Sequence, residues 1–279
     1  MGIDKRQISA FEEFLWKEER ARATVEKYLR EVLQFAAWLQ DEPINKEAVA
    51  RWKEFLLTRK KYRPSTINGK LTALDRFFSF LGQEECRVKH LRLQRQLFRE
   101  DKRELSQKEY QKLIATAYAE GKERLGLLME TICSTGIRVS EVRYITLEAV
   151  EQGRAEISLK GKIRIILIPG KLRRKLIKYS RRRKILFGEI FLTKSGRSLS
   201  RKQIWAEMKR VCRKAGVEES KVFPHNLRHL FARMFYQVSR DITKLADVLG
   251  HSSIDTTRIY LVSTGYEHIK ILDKLRLIL

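Results

Sequence analysis

The stretch RAEISLKGKIRIILIP, Arg154 to Pro169, decides the fold. It holds two β-branched runs, RAEISL and KIRIILIP, split by Lys160-Gly161. Such runs around a tight turn predict an antiparallel hairpin. The apolar period is helical on both sides of it. The chain is therefore expected to be mainly α with one small antiparallel β-sheet.

Upstream, ATVEKYLREVLQFAAWLQ places Val25, Tyr28, Leu29, Val32, Leu33, Ala36 and Leu39 on one helical face, and Asp41-Glu42-Pro43 ends it. KEAVARWKEFLLTRK predicts a second amphipathic helix. RPSTINGKLTALDRFFSFLG predicts a third, opened by Pro64-Ser65 and closed by Gly82. Together these form a helical module with a basic rim, residues 1–84. Residues 85–104 are basic and lack an apolar period, so an extended linker is expected. Ser106 with Glu109 makes a capping box that opens a second domain, 105–279. There GLLMETICSTG reads as an apolar helix halted by Gly136, and RVSEVRYITLEAV as a helix that resumes. Beyond the hairpin, KLRRKLIKYSRRRK, LSRKQIWAEMKRVCRKAG (behind Ser200), PHNLRHLFARMFYQV and DITKLADVLG all read as helices.

An apolar content of 43% is enough for real cores. Charge is the strongest compositional signal: 59 Lys and Arg against 34 Asp and Glu, net +25, with most of the excess after residue 100. Such a field attracts a polyanion, and nucleic acid is favoured because each neutralised phosphate releases counterions. An anionic membrane surface is the alternative that charge alone leaves open. No apolar run approaches a membrane span, and MGIDKRQISAFEEF lacks the apolar core of a signal peptide. The protein is expected in the cytoplasm, associated with the nucleoid. Cys86, Cys133 and Cys212 are widely spaced and show no metal-site spacing. Free thiols, no metal and no cofactor are expected.

Several side chains stand where chemistry is possible. Arg138 follows Gly136 at a helix break, where a side chain can face a cleft. Lys160 sits at the hairpin tip. His225 and Arg228 are three apart and share a helix face. His251 follows Gly250 after a helix, and Tyr260 trails it by nine. Donors and cations without paired carboxylates suit an anion that gains charge, such as a phosphoryl group. Taken singly, each has an ordinary reading as an ion-pair partner, a turn residue, a cap or half-buried packing. The set and its order carry the inference.

That order is TGIRVSE, then Lys in KGK, then HNLRH, then LGH with a tyrosine nine residues on. It resembles the tyrosine recombinases, the phage integrase and Xer group, over nearly the whole chain. The resemblance implies a SAM-like core-binding domain followed by a catalytic domain. Tyr260 would attack a DNA phosphodiester, form a 3′-phosphotyrosine and free a 5′-hydroxyl. Arg138 and Arg228 would grip the non-bridging oxygens, which suits a planar, permanently charged fork. His225 and His251 would hydrogen-bond the phosphate or relay the phenol proton. Lys160 would protonate the leaving oxygen. KGKIRI is one residue shorter than the usual family turn, so Lys162 stays an alternative. Glu141 is expected to be a buried orienter of the arginine, and His229 a support for its helix. A free phenol titrates near about 10, and guanidinium groups beside it favour the anion. They can supply the charge stabilisation that Mg²⁺ gives elsewhere.

Two helix starts are candidates for reading DNA: Ser65, Thr66, Asn68 and Lys70, and Ser200, Arg201, Lys202 and Gln203. In the tail, Ile269, Leu272, Leu275 and Leu279 predict an amphipathic helix over about 266–279. The resemblance implies that it docks into a neighbouring protomer and links a tetramer on double-stranded DNA with paired inverted-repeat sites. The expected function is site-specific recombination: integrating or excising a mobile element, or resolving DNA dimers. A type IB topoisomerase-like relaxase and a non-catalytic architectural or regulatory DNA-binding protein are the alternatives.

Overall fold

A computed structural model describes residues 2–59, 62–93, 104–159, 162–260 and 273. The chain forms two units, Met1–Arg95 and Gln96–Leu279.

The first unit is helical. α1 (Lys5–Lys17) starts at Asp4, which forms a capping box with Gln7. α2 (Arg22–Leu39) follows, then α3 (Lys46–Thr58), capped where Asn45 Oδ1 accepts from the Ala48 N–H at 2.7 Å. α4 (Pro64–Leu81) begins on a proline and stops at Gly82, whose φ of 69° is left-handed. The four buried faces meet in a core rich in aromatics, including Phe11, Phe35, Trp52, Phe77 and Phe78. Phe11 meets Phe77 edge to face at 5.1 Å.

Residues 85–93 depart from the linker expectation. Cys86 is buried, and Val88 and Leu91 pack on the same core. The Asn68 amide holds Leu91 by both ends, Nδ2 donating to its carbonyl and Oδ1 accepting its N–H, each at 2.9 Å. A segment pinned this way needs no helical period, which is why its sequence reads as linker. Residues 94–103 lie outside the described residues.

In the second unit, α5 (Gln107–Ala119) carries the Ser106–Glu109 capping box. α6 (Glu123–Thr135) is central: Leu125, Leu127, Leu128, Met129 and Ile132 are all buried, so its apolar surface runs around the helix. The expected resumption of the helix is instead a 3-10 turn, Val139–Tyr144, and a short α7 (Leu147–Gln152). The break has one local cause and one long-range cause. Thr146 caps α7 by accepting from the Ala149 N–H at 3.2 Å, and the Ile190 N–H takes the Ile145 carbonyl at 3.1 Å.

β1 (Arg154–Leu159) pairs antiparallel with β2 (Lys162–Leu167), Leu159 opposite Lys162 and Arg154 opposite Leu167. α8 (Gly170–Arg183), α9 (Arg201–Lys214), α10 (Pro224–Ser239), α11 (Ile242–Leu249) and α12 (Ile254–Arg258) complete the described part. The helix expected over 266–279 lies outside the described residues, Asp273 excepted.

Candidate active site

The site is built where the end of α6 meets α10. Gly136 closes α6 with φ 65°, and a Cβ there would lie 2.4 Å from the Phe231 ring of α10. Only glycine permits both the turn and the close approach. Its carbonyl is left facing α10 and accepts from Arg228 Nη1.

Arg228 is the hub of the site, although only 1% exposed. Nη2 donates to the Leu249 carbonyl at 2.8 Å and to His251 Nε2 at 2.9 Å, and Nε donates to the Tyr260 hydroxyl at 3.4 Å. Four of the five guanidinium N–H groups are thus directed at this chain's own acceptors. Burial pulls the Arg228 pKa down, Tyr260 opposes that, and the charge of Arg138 adds to it.

A guanidinium offers no acceptor, so His251 Nε2 must accept. The imidazole proton therefore sits on Nδ1 and donates to the Thr257 hydroxyl at 2.8 Å. This tautomer agrees with a His251 pKa brought down to about 4, first by burial and then by Arg228, Arg138, Arg164 and His225. Thr257 is fully buried at the end of α12, and its carbonyl accepts the Tyr260 N–H at 3.0 Å. Tyr260 is 6% exposed. Its ring lies 4.3 Å from His229, 5.6 Å from His251 in a near-parallel stack, and 5.8 Å from His225. His225 stands exposed at the start of α10 and meets His229 edge-on at 4.5 Å.

Arg138 is presented differently. Its side chain is 43% exposed and is held from behind by the buried Glu141. One Glu141 oxygen accepts from Arg138 Nη1 at 2.8 Å and the other from the Arg138 backbone N–H at 2.7 Å. The fold thus gathers Arg138, Glu141, His225, Arg228, His229, His251 and Tyr260. Lys160 lies outside the described residues. Lys162 is the first residue of β2.

Two residues of the site escaped the sequence reading. Thr257 fixes the His251 tautomer. Arg164 on β2 donates through Nη1 to both Glu141 oxygens, at 3.0 and 3.2 Å, and through Nη2 to the Val248 carbonyl at 2.9 Å. The available signal for Arg164 was a cation inside the apolar run IRIILI.

The candidate DNA-reading residues divide. Ser65 and Thr66 are exposed on α4. Asn68 and Lys70 are corrections, because both turn inward. Asn68 is spent on Leu91, and buried Lys70 Nζ donates to Glu31 Oε2 and Gln34 Oε1, each at 2.5 Å. Burial would raise the Glu31 pKa, but Lys70 and Arg30 outweigh it and hold it low. On α9, Ser200 and Gln203 form the capping box, while Arg201, Lys202 and Gln203 face solvent. Among the described residues, no three His, Cys, Asp or Glu side chains cluster as a metal set would.

Comparison with known proteins extends this picture. Residues 103–265 match the model of the phage integrase family, and residues 8–85 that of the phage integrase N-terminal SAM-like domain. Tyrosine recombinase XerA of Pyrococcus furiosus is 31% identical over 88% of this chain and 94% of its own. Tyrosine recombinase XerA of Thermococcus kodakarensis is 30% identical over 97% of this chain and 95% of its own. The fold is also that of lambda integrase, solved as a tetramer bound to a Holliday junction. That similarity has a TM-score of 0.70 at 20% identity and covers 91% of this chain and 76% of that one.

Proposed function

The chain belongs to the phage integrase family and is a site-specific tyrosine recombinase that cuts and rejoins DNA; from that premise we propose that Tyr260 is its nucleophile and that the arginines of the same chain serve it. The observation that carries this reading is the 3.4 Å contact of Arg228 Nε with the Tyr260 hydroxyl inside one chain. The Tyr260 oxygen attacks the scissile phosphorus and the bond to the 5′-oxygen breaks, leaving a 3′-phosphotyrosine. Lys160, or Lys162 in its place, gives the leaving oxygen its proton. The 5′-hydroxyl of a partner strand then attacks the phosphotyrosine. One phosphoester replaces another at each step, so rejoining needs no nucleotide triphosphate.

The two arginines divide the work. Arg228 has spent most of its donors on Gly136, Leu249 and His251, so it aligns Tyr260 and stabilises charge on the phenol oxygen. Arg138, exposed and braced by Glu141, offers its fork to the non-bridging oxygens, and His225, exposed at the start of α10, adds a further donor. His251 is a weak base before DNA arrives, because cations surround it. The charge of a bound phosphodiester offsets them and draws Arg228 Nη2 from His251, whose freed Nε2 lone pair then takes the phenol proton. His229 packs under the Tyr260 ring as a support.

DNA contacts are assigned to Ser65 and Thr66 at the start of α4 and to Arg201, Lys202 and Gln203 at the start of α9, with Ser200 as the cap. Residues 266–279 link protomers into a tetramer on paired sites, in keeping with the tetramer seen for lambda integrase. The enzyme works on cytoplasmic, nucleoid DNA, integrating or excising a mobile element or resolving DNA dimers. A nicked duplex carrying a site selected from random DNA tests the chemistry, because the nick lets the downstream fragment escape and traps the adduct. Parent protein is expected to become covalently linked, and Tyr260→Phe is expected to bind the duplex without linkage. An adduct that persists in Tyr260→Phe would overturn the assignment.

A further inference from the structure

Strand β2 carries a buried cation to which the recombinase resemblance assigns no task. Ile163, Ile165 and Leu167 of this strand face solvent, while Arg164 and Ile166 face inward. The Arg164 side chain is 11% exposed. Its Nη1 donates to both oxygens of Glu141, and its Nη2 to the Val248 carbonyl. Its stem fills the space beside Gly250, where a Cβ would sit 2.3 Å from Arg164 Cδ. The left-handed φ of Gly250, 63°, sets the same requirement for glycine. Arg164 Nε is buried and has no partner among the described residues.

Placing a cation here is costly. Burial brings the Arg164 pKa down to about 10, with Arg228 and Arg138 pushing the same way and Glu141 opposing. An aliphatic residue would fill the space without that penalty. The guanidinium adds a rigid span between three segments. Glu141 fixes Arg138 by its backbone N–H and its side chain. Val248 lies three residues before His251, at the end of α11, just ahead of the Gly250 turn that places the imidazole on Arg228. β2 itself begins at Lys162, two positions after Lys160 in the sequence.

We propose that Arg164 is a positioning residue: by holding Glu141 and the Val248 carbonyl with one planar group, it sets Arg138 against His251 and ties both to the hairpin that carries the candidate general acid. The proposal rests on the reading of Arg138, His251 and Tyr260 given above. Arg164 touches no reacting atom. Lysine keeps the charge but ends in a single ammonium, which cannot span two acceptors in opposite directions as a fork does.

The test is single-turnover cleavage of the nicked duplex at saturating DNA by parent, Arg164→Lys, Arg164→Met, Glu141→Gln and Glu141→Gln/Arg164→Lys. Arg164→Lys is expected to bind DNA within about 3-fold of parent and to cleave about 10- to 100-fold more slowly, the scale of a small misplacement of reacting groups. The double variant is expected to lose no more than about 3-fold beyond the slower single variant, because Arg164 acts through Glu141.

Proton NMR of His251 adds a readout that packing alone would not move. His251 is faced by Arg228 of α10, Arg138 just before the 3-10 turn, Arg164 of β2 and His225, with Tyr260 stacked on it. Arg164→Met is expected to raise its titration midpoint, and Arg164→Lys to leave it in place. Parental cleavage by Arg164→Lys overturns the proposal. So does a rate loss that disappears on cooling below the variant's own melting transition. Tyr260→Phe runs beside them: an adduct there sinks the reading of the site, whatever Arg164 does.

Discussion

Replacing Arg228 by methionine should cost the catalytic unit stability as well as chemistry. The side chain is 1% exposed, and methionine keeps much of its stem. What is lost is the donor to two carbonyls, Gly136 and Leu249, at the junction of α6, α10 and α11. A buried acceptor left without a donor costs about 1–3 kcal/mol, so the two together cost about 2–6 kcal/mol. In a unit of this size each kcal/mol moves the melting midpoint by about 2–4 °C, which gives a drop of about 4–24 °C. Cleavage is a separate loss. Removing one preorganised donor from an oxyanion costs about 100- to 1000-fold, and Nε is such a donor for the phenol oxygen. Circular dichroism melts give the first quantity. Adduct formation on the nicked duplex, well below the variant's midpoint, gives the second. DNA affinity should stay within about 3-fold, because most contacts lie on other phosphates. A midpoint within about 2 °C of parent would refute the reasoning, since both carbonyls would then have other donors.

Three further outcomes follow from other parts of the molecule. Thr257→Val removes the oxygen that holds His251 Nδ1–H, so cleavage should fall about 10-fold or more with binding unchanged; parental cleavage would show that the tautomer does not matter. His251 in the free protein should stay neutral until about pH 4, against about 6.5 unfolded, so its contribution to stability is complete above pH 6.5 and is lost as pH falls towards 4. A histidine NMR midpoint near 6.5 would contradict this. Lys70→Met takes one donor from buried Glu31 and leaves it Arg30, which should destabilise the first unit by about 1–3 kcal/mol; Lys70→Met with Glu31→Leu should recover much of that, by chemical denaturation. If Lys70 reads DNA instead, Lys70→Met will weaken binding without lowering stability.

Elements were legible where their chemistry is local. The Ser106–Glu109 and Ser200–Gln203 boxes, the left-handed Gly82 and the hairpin around residues 160–161 all depend on neighbours in sequence. The core of the site was legible because its residues keep a recognisable order along the chain. Arg164 was not, because its partners Glu141 and Val248 lie 23 and 84 residues away. Lys70 misled for the same reason: at a helix start it resembles a free cation, and only the approach of α2, 39 residues back at Glu31, turns it inward. RVSEVRYITLEAV has a helical pattern, yet Glu141 serves Arg138 and Thr146 caps a new helix, so the stretch divides.

The central claim is that one chain supplies both its nucleophile and the arginines around it. Mixing Tyr260→Phe with Arg138→Gln on the nicked duplex tests this most directly, after each variant has been shown to bind DNA and to form no adduct alone. Cleavage within a single chain leaves the mixture as inactive as its components. An adduct that appears only on mixing would mean that Tyr260 of one chain fires in the site of another, and would contradict the account.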